Sequence, residues 1–343
     1  MKRFSWFLLL LLPILSQAQH SYQYIANDST SYLFGQIYAG FYTGLNNNYE
    51  PRSAFEFKQG IIGYSHSFKG KVTGKIMFDV TRTTHFTLLT DTSGNNVPLD
   101  YFEGSKYTAY LKMAEIKWIL NSHFTLRFGQ LLNTQYLTFQ DRFWGFRYID
   151  VTFQEKYRFG MPADFGIQAD YKVGDKLLLQ LSVVNGEGPF RYQDKLSNFL
   201  YSVNVQYSPL KNFTLKLYLG IETAPDTGIY VNEKKVISFF AGYKTKNYGI
   251  GVEANYVKDY SYLEGIDKYG LSVYGFIAVT EHFAVLGRYD YLCQQFININ
   301  LVNNYYILGI QYSPLKYFTT SLNFRYYSKN DLPIVYFNVG LKF

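Results

Sequence analysis

From about Ser31 to the carboxyl terminus the chain repeats one pattern: roughly ten residues of alternating apolar and polar character, then a break. Side chains of a strand point alternately to its two faces, so each run reads as a strand with one oily face and one wettable face. The clearest run sets Phe213, Leu215, Leu217, Leu219 and Ile221 against Thr214, Lys216, Tyr218, Gly220 and Glu222. A second sets Val72, Ile76, Phe78 and Val80 against Thr73, Lys75, Met77 and Asp79. A third sets Phe318, Leu322, Phe324 and Tyr326 against Ser321, Asn323 and Arg325. The last places Val335, Phe337, Val339, Leu341 and Phe343 opposite Tyr336, Asn338, Gly340 and Lys342. The alternation slips within Ser53–Phe68 and Tyr107–Ile119.

The breaks alternate in length. Short ones fall at Lys69-Gly70, Leu120–His123, Val173–Lys176, Ser208–Asn212, Thr245–Asn247, Thr280–His282 and Ser313–Tyr317. Longer polar segments lie near 45–52, 83–106, 132–162, 186–197, 223–235, 259–268, 293–303 and 328–333. The runs between them number about 16, with both ends on the short-turn side. Hydrocarbon offers no partner to a bare N–H or C=O, so strands with an oily outer face must close into a ring. The expected fold is therefore all-β: a transmembrane antiparallel β-barrel of about 16 strands with short periplasmic turns and long extracellular loops. Aromatic residues at the strand ends, among them Tyr207, Phe213, Tyr243, Tyr248, Tyr312 and Tyr317, suit the headgroup level. Two short turns are near copies, Gln206–Lys211 and Gln311–Lys316, and the proline after serine in each is expected to end the ladder.

The amino terminus carries Lys2 and Arg3, an apolar stretch from Phe7 to Leu15 and a small-x-small site at Ser16–Ala18. This is the pattern of an export signal over residues 1–18. It leaves a short periplasmic segment at 19–30 and the barrel at 31–343. After residue 20 no apolar run reaches the ~18 residues of a membrane helix. Net charge is +7, and +5 once Lys2 and Arg3 are removed. No Lys/Arg block points to nucleic acid. The lone Cys293 excludes an internal disulfide framework. The aromatic end at Phe343 resembles the terminal signature that bacterial barrel-assembly machinery reads, and the surroundings would be outer-membrane lipid.

A ring of this width is too large for its own side chains to fill, so inward residues should line water. They include Lys58, Lys75, Arg127, Lys216, Lys244, Arg288, Arg325 and Lys342, opposed by Glu56, Asp79, Asp170, Glu222, Glu253 and Asp290. We take Lys75, Arg127, Lys216, Arg288 and Arg325 as candidate pore wall. The segment 132–162 is too aromatic and too charged for a slack surface loop. It carries Arg142, Arg147, Lys156 and Arg158 against Asp141, Asp150 and Glu155. It is expected to fold into the lumen with those four cations as constriction and anion-binding site, because guanidinium forks suit carboxylate and phosphate. The alternative is a cap packed on the outer rim.

The runs Phe128-Gly129-Gln130-Leu131-Leu132, Arg142, Phe165-Gly166-Ile167-Gln168 and Val184-Asn185-Gly186-Glu187-Gly188 resemble the central part of the phosphate-selective porin O and P family. The resemblance covers about residues 107–190. It implies a 16-stranded barrel, commonly a homotrimer, in which inward loops and basic side chains guide anions. Where that family would place Lys after the Gly-Gln, this chain has Leu131 and Leu132. That departure points to general passage of small hydrophilic solutes with a mild preference for anions. The competing expectation is a surface or adhesion protein whose lumen is closed by 132–162. Histidines 20, 66, 85, 123 and 282 are scattered, and no metal, cofactor or nucleophile motif appears, so no enzyme and no cofactor is expected.

Overall fold

Sixteen antiparallel strands close on themselves in the computed structural model, which describes residues 29–48, 51–82, 88–90, 96–98, 107–189, 198–224, 232–296 and 299–343. The export signal and most of the 19–30 segment lie outside the described residues. In chain order the strands are β1 (Ser29–Gly44), β2 (Ser53–Phe68), β3 (Val72–Arg82), β4 (Tyr107–Ile119), β5 (Phe124–Leu132), β6 (Ala163–Val173), β7 (Leu177–Val184) and β8 (Leu200–Leu210). The second half comprises β9 (Phe213–Glu222), β10 (Lys234–Lys244), β11 (Tyr248–Lys258), β12 (Asp267–Ala278), β13 (Phe283–Phe296), β14 (Ile299–Leu315), β15 (Phe318–Tyr327) and β16 (Leu332–Lys342). A separate small hairpin pairs Leu88–Thr90 with Asn96–Pro98.

Each strand pairs with its sequence neighbour, and the ring closes between β1 and β16, from Gln36↔Lys342 to Gly44↔Ile334. Gly35 and Phe343 complete the seam by exchanging main-chain hydrogen bonds of 2.8 and 3.0 Å. Closure leaves no sheet edge, which a membrane-embedded sheet requires. Turns fall at the seven expected short breaks, and both chain ends of the barrel lie on that side.

The outer face carries the apolar half of each strand. Leu219, Ile237, Phe239, Ile250, Leu308 and Phe337 are all exposed, which in lipid is their burial. Inward, Thr214, Lys216, Tyr218 and Glu222 of β9 are buried in the faces the alternation assigned to them.

Both irregular stretches are β-bulges. In β2 the partner of Tyr38 is Gln59 and that of Ala39 is Phe57, so Lys58 is the extra residue. In β4 the partner of Met77 is Met113 and that of Phe78 is Leu111, so Lys112 is extra. A bulge inserts one residue and re-aims its side chain. Here each inserted residue is a lysine that reaches a partner inside: Lys58 Nζ lies 2.6 Å from Ile149 O, and Lys112 Nζ 2.5 Å from Asp79 Oδ2.

The two Ser-Pro turns correct one expectation. Proline does not end the ladder; β8 runs through Pro209 to Leu210, paired with Phe213, and β14 runs through Pro314 to Leu315, paired with Phe318. The register shifts across the Ser-Pro dipeptide instead, because the missing N–H is absorbed by a bulge beside the turn.

Leu217, at mid-strand on the lipid face, offers a direct test. Replacing Leu217 by Arg is expected to lower the unfolding free energy in vesicles by about 2–4 kcal/mol, the cost of a cation near the bilayer midplane. A urea titration that finds a loss under about 1 kcal/mol would take Leu217 out of the hydrocarbon.

Candidate functional site: the barrel lumen

The segment between β5 and β6 turns inward and fills much of the lumen, so the rim-cap alternative is set aside. Its neck is pinned by Asn133, whose N–H donates to Pro162 O at 3.0 Å and whose Nδ2 donates to Met161 O at 2.7 Å. Two short helices follow, α1 (Gln140–Trp144) and α2 (Phe153–Lys156). Gly145 closes α1 with φ 76°, a left-handed position that favours glycine, and donates to Asp141 O.

Aromatic residues dock the segment on the wall of the second half of the barrel. Phe143, Trp144, Phe146 and Tyr148 pack with Phe240, Tyr274, Leu286 and Tyr305. Phe153 and Phe159 pack with Tyr218, Val236, Val257 and Leu292. The wall is notched to receive them. A Cβ at Gly242 would sit 2.5 Å from Phe143 Cζ, and one at Gly270 would sit 2.4 Å from Phe153 Cζ.

An irregular buried segment has main-chain oxygens with no helix or sheet to bond them, and each costs about 1–3 kcal/mol if left bare. Cationic side chains of the wall supply the donors. Lys216 Nζ lies 2.6 Å from Thr134 O and 2.5 Å from Gln135 O. Lys244 donates to Phe143 O at 2.5 Å, Lys268 to Tyr157 O at 2.9 Å and Arg288 to Val151 O at 2.5 Å. Lys58 and Arg325 both donate to Ile149 O, at 2.6 and 2.7 Å. Arg325 also lies 3.6 Å over the ring of Tyr336.

Within the segment, Arg147 is paired with Asp141 at 2.8 Å and with both oxygens of Glu155 at 2.5 and 2.6 Å. Burial works against its charge, but the two carboxylates outweigh burial and hold its pKa well above the usual value. Burial alone would raise the Glu155 carboxyl; Arg147 reverses this and holds it below its ordinary range. Asp150 likewise resists protonation despite burial, because Lys156, Arg325 and Arg288 surround it. Lys156 pairs with it at 2.5 Å while lying 3.6 Å over the Tyr305 ring.

The nine cations singled out in the sequence thus divide. Lys216, Arg288 and Arg325 are drawn out of the water expected around them and hold the inserted segment; Lys156 is paired within it. Arg142, Arg147, Lys75 and Arg127 line an inner cavity of about 630 Å³ on the short-turn side. Arg158 lines an outer cavity of about 370 Å³ near the long loops. Leu132 and Gln168 border both cavities. The inner cavity also gathers Lys112, Lys117 and Lys172, which the sequence reading did not single out. Lys172 shares the inward face of Asp170 and was legible from the period; Lys117 was masked by the slip at Lys112. Seven cations therefore line it with three carboxylates, Glu115, Asp141 and Asp170; two of the seven, Lys112 and Arg147, are also paired with Asp79 and Glu155 behind the lining, which leaves a smaller excess of cations.

Arg147→Ala would strand Asp141 and Glu155 as buried charges, and is expected to cost the segment about 3–5 kcal/mol. Hydrogen exchange of the amides in 133–162 is the measurement; unchanged protection would refute the role given to Arg147. Asp150 and Glu155 have depressed pKa values, so their contribution is full above the ordinary carboxylate range and is lost as pH falls through the lower folded values. The share of protection that Asp150 and Glu155 supply should stay full down to about pH 5 and fall only below about pH 4. A difference in protection between the native chain and Arg147→Ala that vanished above about pH 5 would contradict this pairing.

Residues 159–337 match the family "Putative beta-barrel porin-2, OmpL-like". No curated protein sequence matches the chain. Among solved structures, OmpF of Salmonella typhi in complex with daunomycin is similar at TM-score 0.65 and 11% identity, over 91% of this chain and 97% of that one. The anion-selective porin from Comamonas acidovorans gives 0.63 and 12%, over 92% and 100%. In-vitro folded OmpT of Vibrio cholerae, in its trimer form, gives 0.62 and 10%, over 92% and 100%. At such identities the likeness is one of fold: a porin-like barrel of the outer membrane. The family match spans more than half of the sequence and agrees with the closed ring, so the chain belongs to the OmpL-like β-barrel porin-2 family.

Proposed function

We propose that the protein is a passive outer-membrane channel for small hydrophilic solutes, with a mild preference for anions. The observation that carries this reading is the excess of cations over carboxylates in the inner cavity. Lys75, Lys117, Lys172 and Arg142 make no salt bridge among the described residues, so their charge is available to a passing ion. Basic linings select anions, and the low-dielectric wall strengthens their field. The route runs from the outer cavity past Leu132 and Gln168 to the inner one. Arg142 and Arg158 line its inner and outer parts, and Arg147 and Lys156 fix the segment that narrows it. Resemblance to the phosphate-selective porins supports the same sign of selectivity and extends it to phosphate as a candidate solute. The trimer form of a structural neighbour supports a homotrimer, and the aromatic Phe343 on the closing strand supports recognition by the assembly machinery.

A second reading draws on how tightly the inserted segment is clamped: a closed lumen that carries surface loops for a binding partner. Single-channel conductance under a salt gradient separates the two. Steady open steps with an anion-favouring reversal potential are expected; a folded barrel without conductance would establish the closed form. In the triple variant Lys75→Gln, Lys117→Gln, Lys172→Gln, the anion preference should be lost or reversed while open steps persist. An unchanged reversal potential would remove these lysines from the selective path.

A further inference from the structure

The outer cavity has a chemistry unlike that of the inner one. Tyr218, Tyr260 and Tyr262 line it, with Glu222 and Asp164 close by. Its charges nearly balance: Arg158 and Lys234 face Asp164, Glu187 and Glu222. Two of its lining residues, Arg158 and Tyr262, hold left-handed backbone conformations at φ 54° and 61°. Such positions persist in non-glycine residues only where the surroundings enforce them, and they cluster at ligand sites.

Between the two cavities runs a ladder of hydroxyls and amides. Ser182 and Ser202 share a hydrogen bond of 2.5 Å. Asn204 Nδ2 donates to Gln180 Oε1 at 2.7 Å, and Gln180 Nε2 donates to Asp170 Oδ1 at 2.8 Å. Gln168, which borders both cavities, donates to the same oxygen at 2.5 Å. Asp170 is neutralised by Arg127 at 2.8 Å. The Oδ1 of Asn204, a residue 1% exposed, is left with no partner.

We propose that this passage recognises a sugar bearing one carboxylate or phosphate, a deepening that rests on the porin reading above. Tyrosine rings offer flat apolar faces to the C–H side of a pyranose and a polar tip to its hydroxyls. Ser182, Ser202 and Gln168, which line the outer cavity, exchange hydrogen bonds with successive hydroxyls. The anionic group then lies toward Lys75 and Lys117 in the inner cavity. A cavity of about 370 Å³ falls in the range of small-ligand sites.

Calorimetric titration of the folded full chain in detergent reads the site whether or not the barrel conducts, and a planar bilayer reads conduction separately. The probes are glucuronate, glucose 6-phosphate, glucose, acetate and glycylglycine. Glucuronate and glucose 6-phosphate are expected to bind at least roughly ten-fold more tightly than glucose or acetate. Tighter binding by only one of the two decides between a carboxylate and a phosphate within the same proposal. Lys75→Gln with Lys117→Gln should bring both acidic sugars down to glucose, and Gln168→Leu should weaken all three sugars while sparing acetate. Equal binding of acetate and glucuronate would overturn the proposal, since the site would read charge alone. Equal binding of glucose and both acidic sugars would overturn it too, as would tighter binding of glycylglycine.

Discussion

Hydrogen bonds from wall cations to main-chain oxygens of the inserted segment are the interaction on which the interior depends. Segment 133–162 has two helices of four and five residues, so most of its carbonyls lack regular partners. In a barrel wide enough to hold water those oxygens would stay solvated and the segment could float. Lys58, Lys216, Lys244, Lys268, Arg288 and Arg325 replace that water with charged donors on long stems. Each such bond is worth about 1.5–3 kcal/mol, more than a neutral one. Aromatic packing into the glycine notches fixes where the segment lies; the cations fix its main chain there.

This clamp is one-sided, and the asymmetry creates the pore. Five of the six clamping cations stand on β9 to β15, so the segment is drawn against that wall. The inner cavity opens along the opposite arc, β3 to β8. Cations facing the segment are taken up by its carbonyl oxygens, and Arg127 and Lys112 by wall carboxylates, whereas Lys75, Lys117 and Lys172 line the open cavity. A wall of mixed charge becomes an anion-favouring cavity because the segment removes some cations from the water and leaves others.

The bulges at Lys58 and Lys112 serve the same end. A regular strand alternates its faces and cannot place two neighbouring residues inside. Inserting one residue brings Lys58 to Ile149 O and Lys112 to Asp79 without turning the remaining strand inside out. The local break in pattern is thus the means by which charge enters the lumen.

The sequence by itself determined the ring, its strand count, the side on which both ends lie and the lipid face, because lipid enforces a strict two-residue period and forbids open edges. It also marked the segment 132–162 as structured, since so many rings cannot remain in water. What it could not determine was which inward cation meets solvent. Lys216 and Lys75 look alike in their strands, each a lysine on the inward face of the alternation. Only the tertiary structure separates them: one lies under the inserted segment and binds its carbonyls, and the other faces the cavity. The local pattern fixes the direction in which a side chain points. What it meets there depends on contacts across about 80 residues or more of intervening chain, as between Lys216 and Thr134, and such contacts leave no periodic trace.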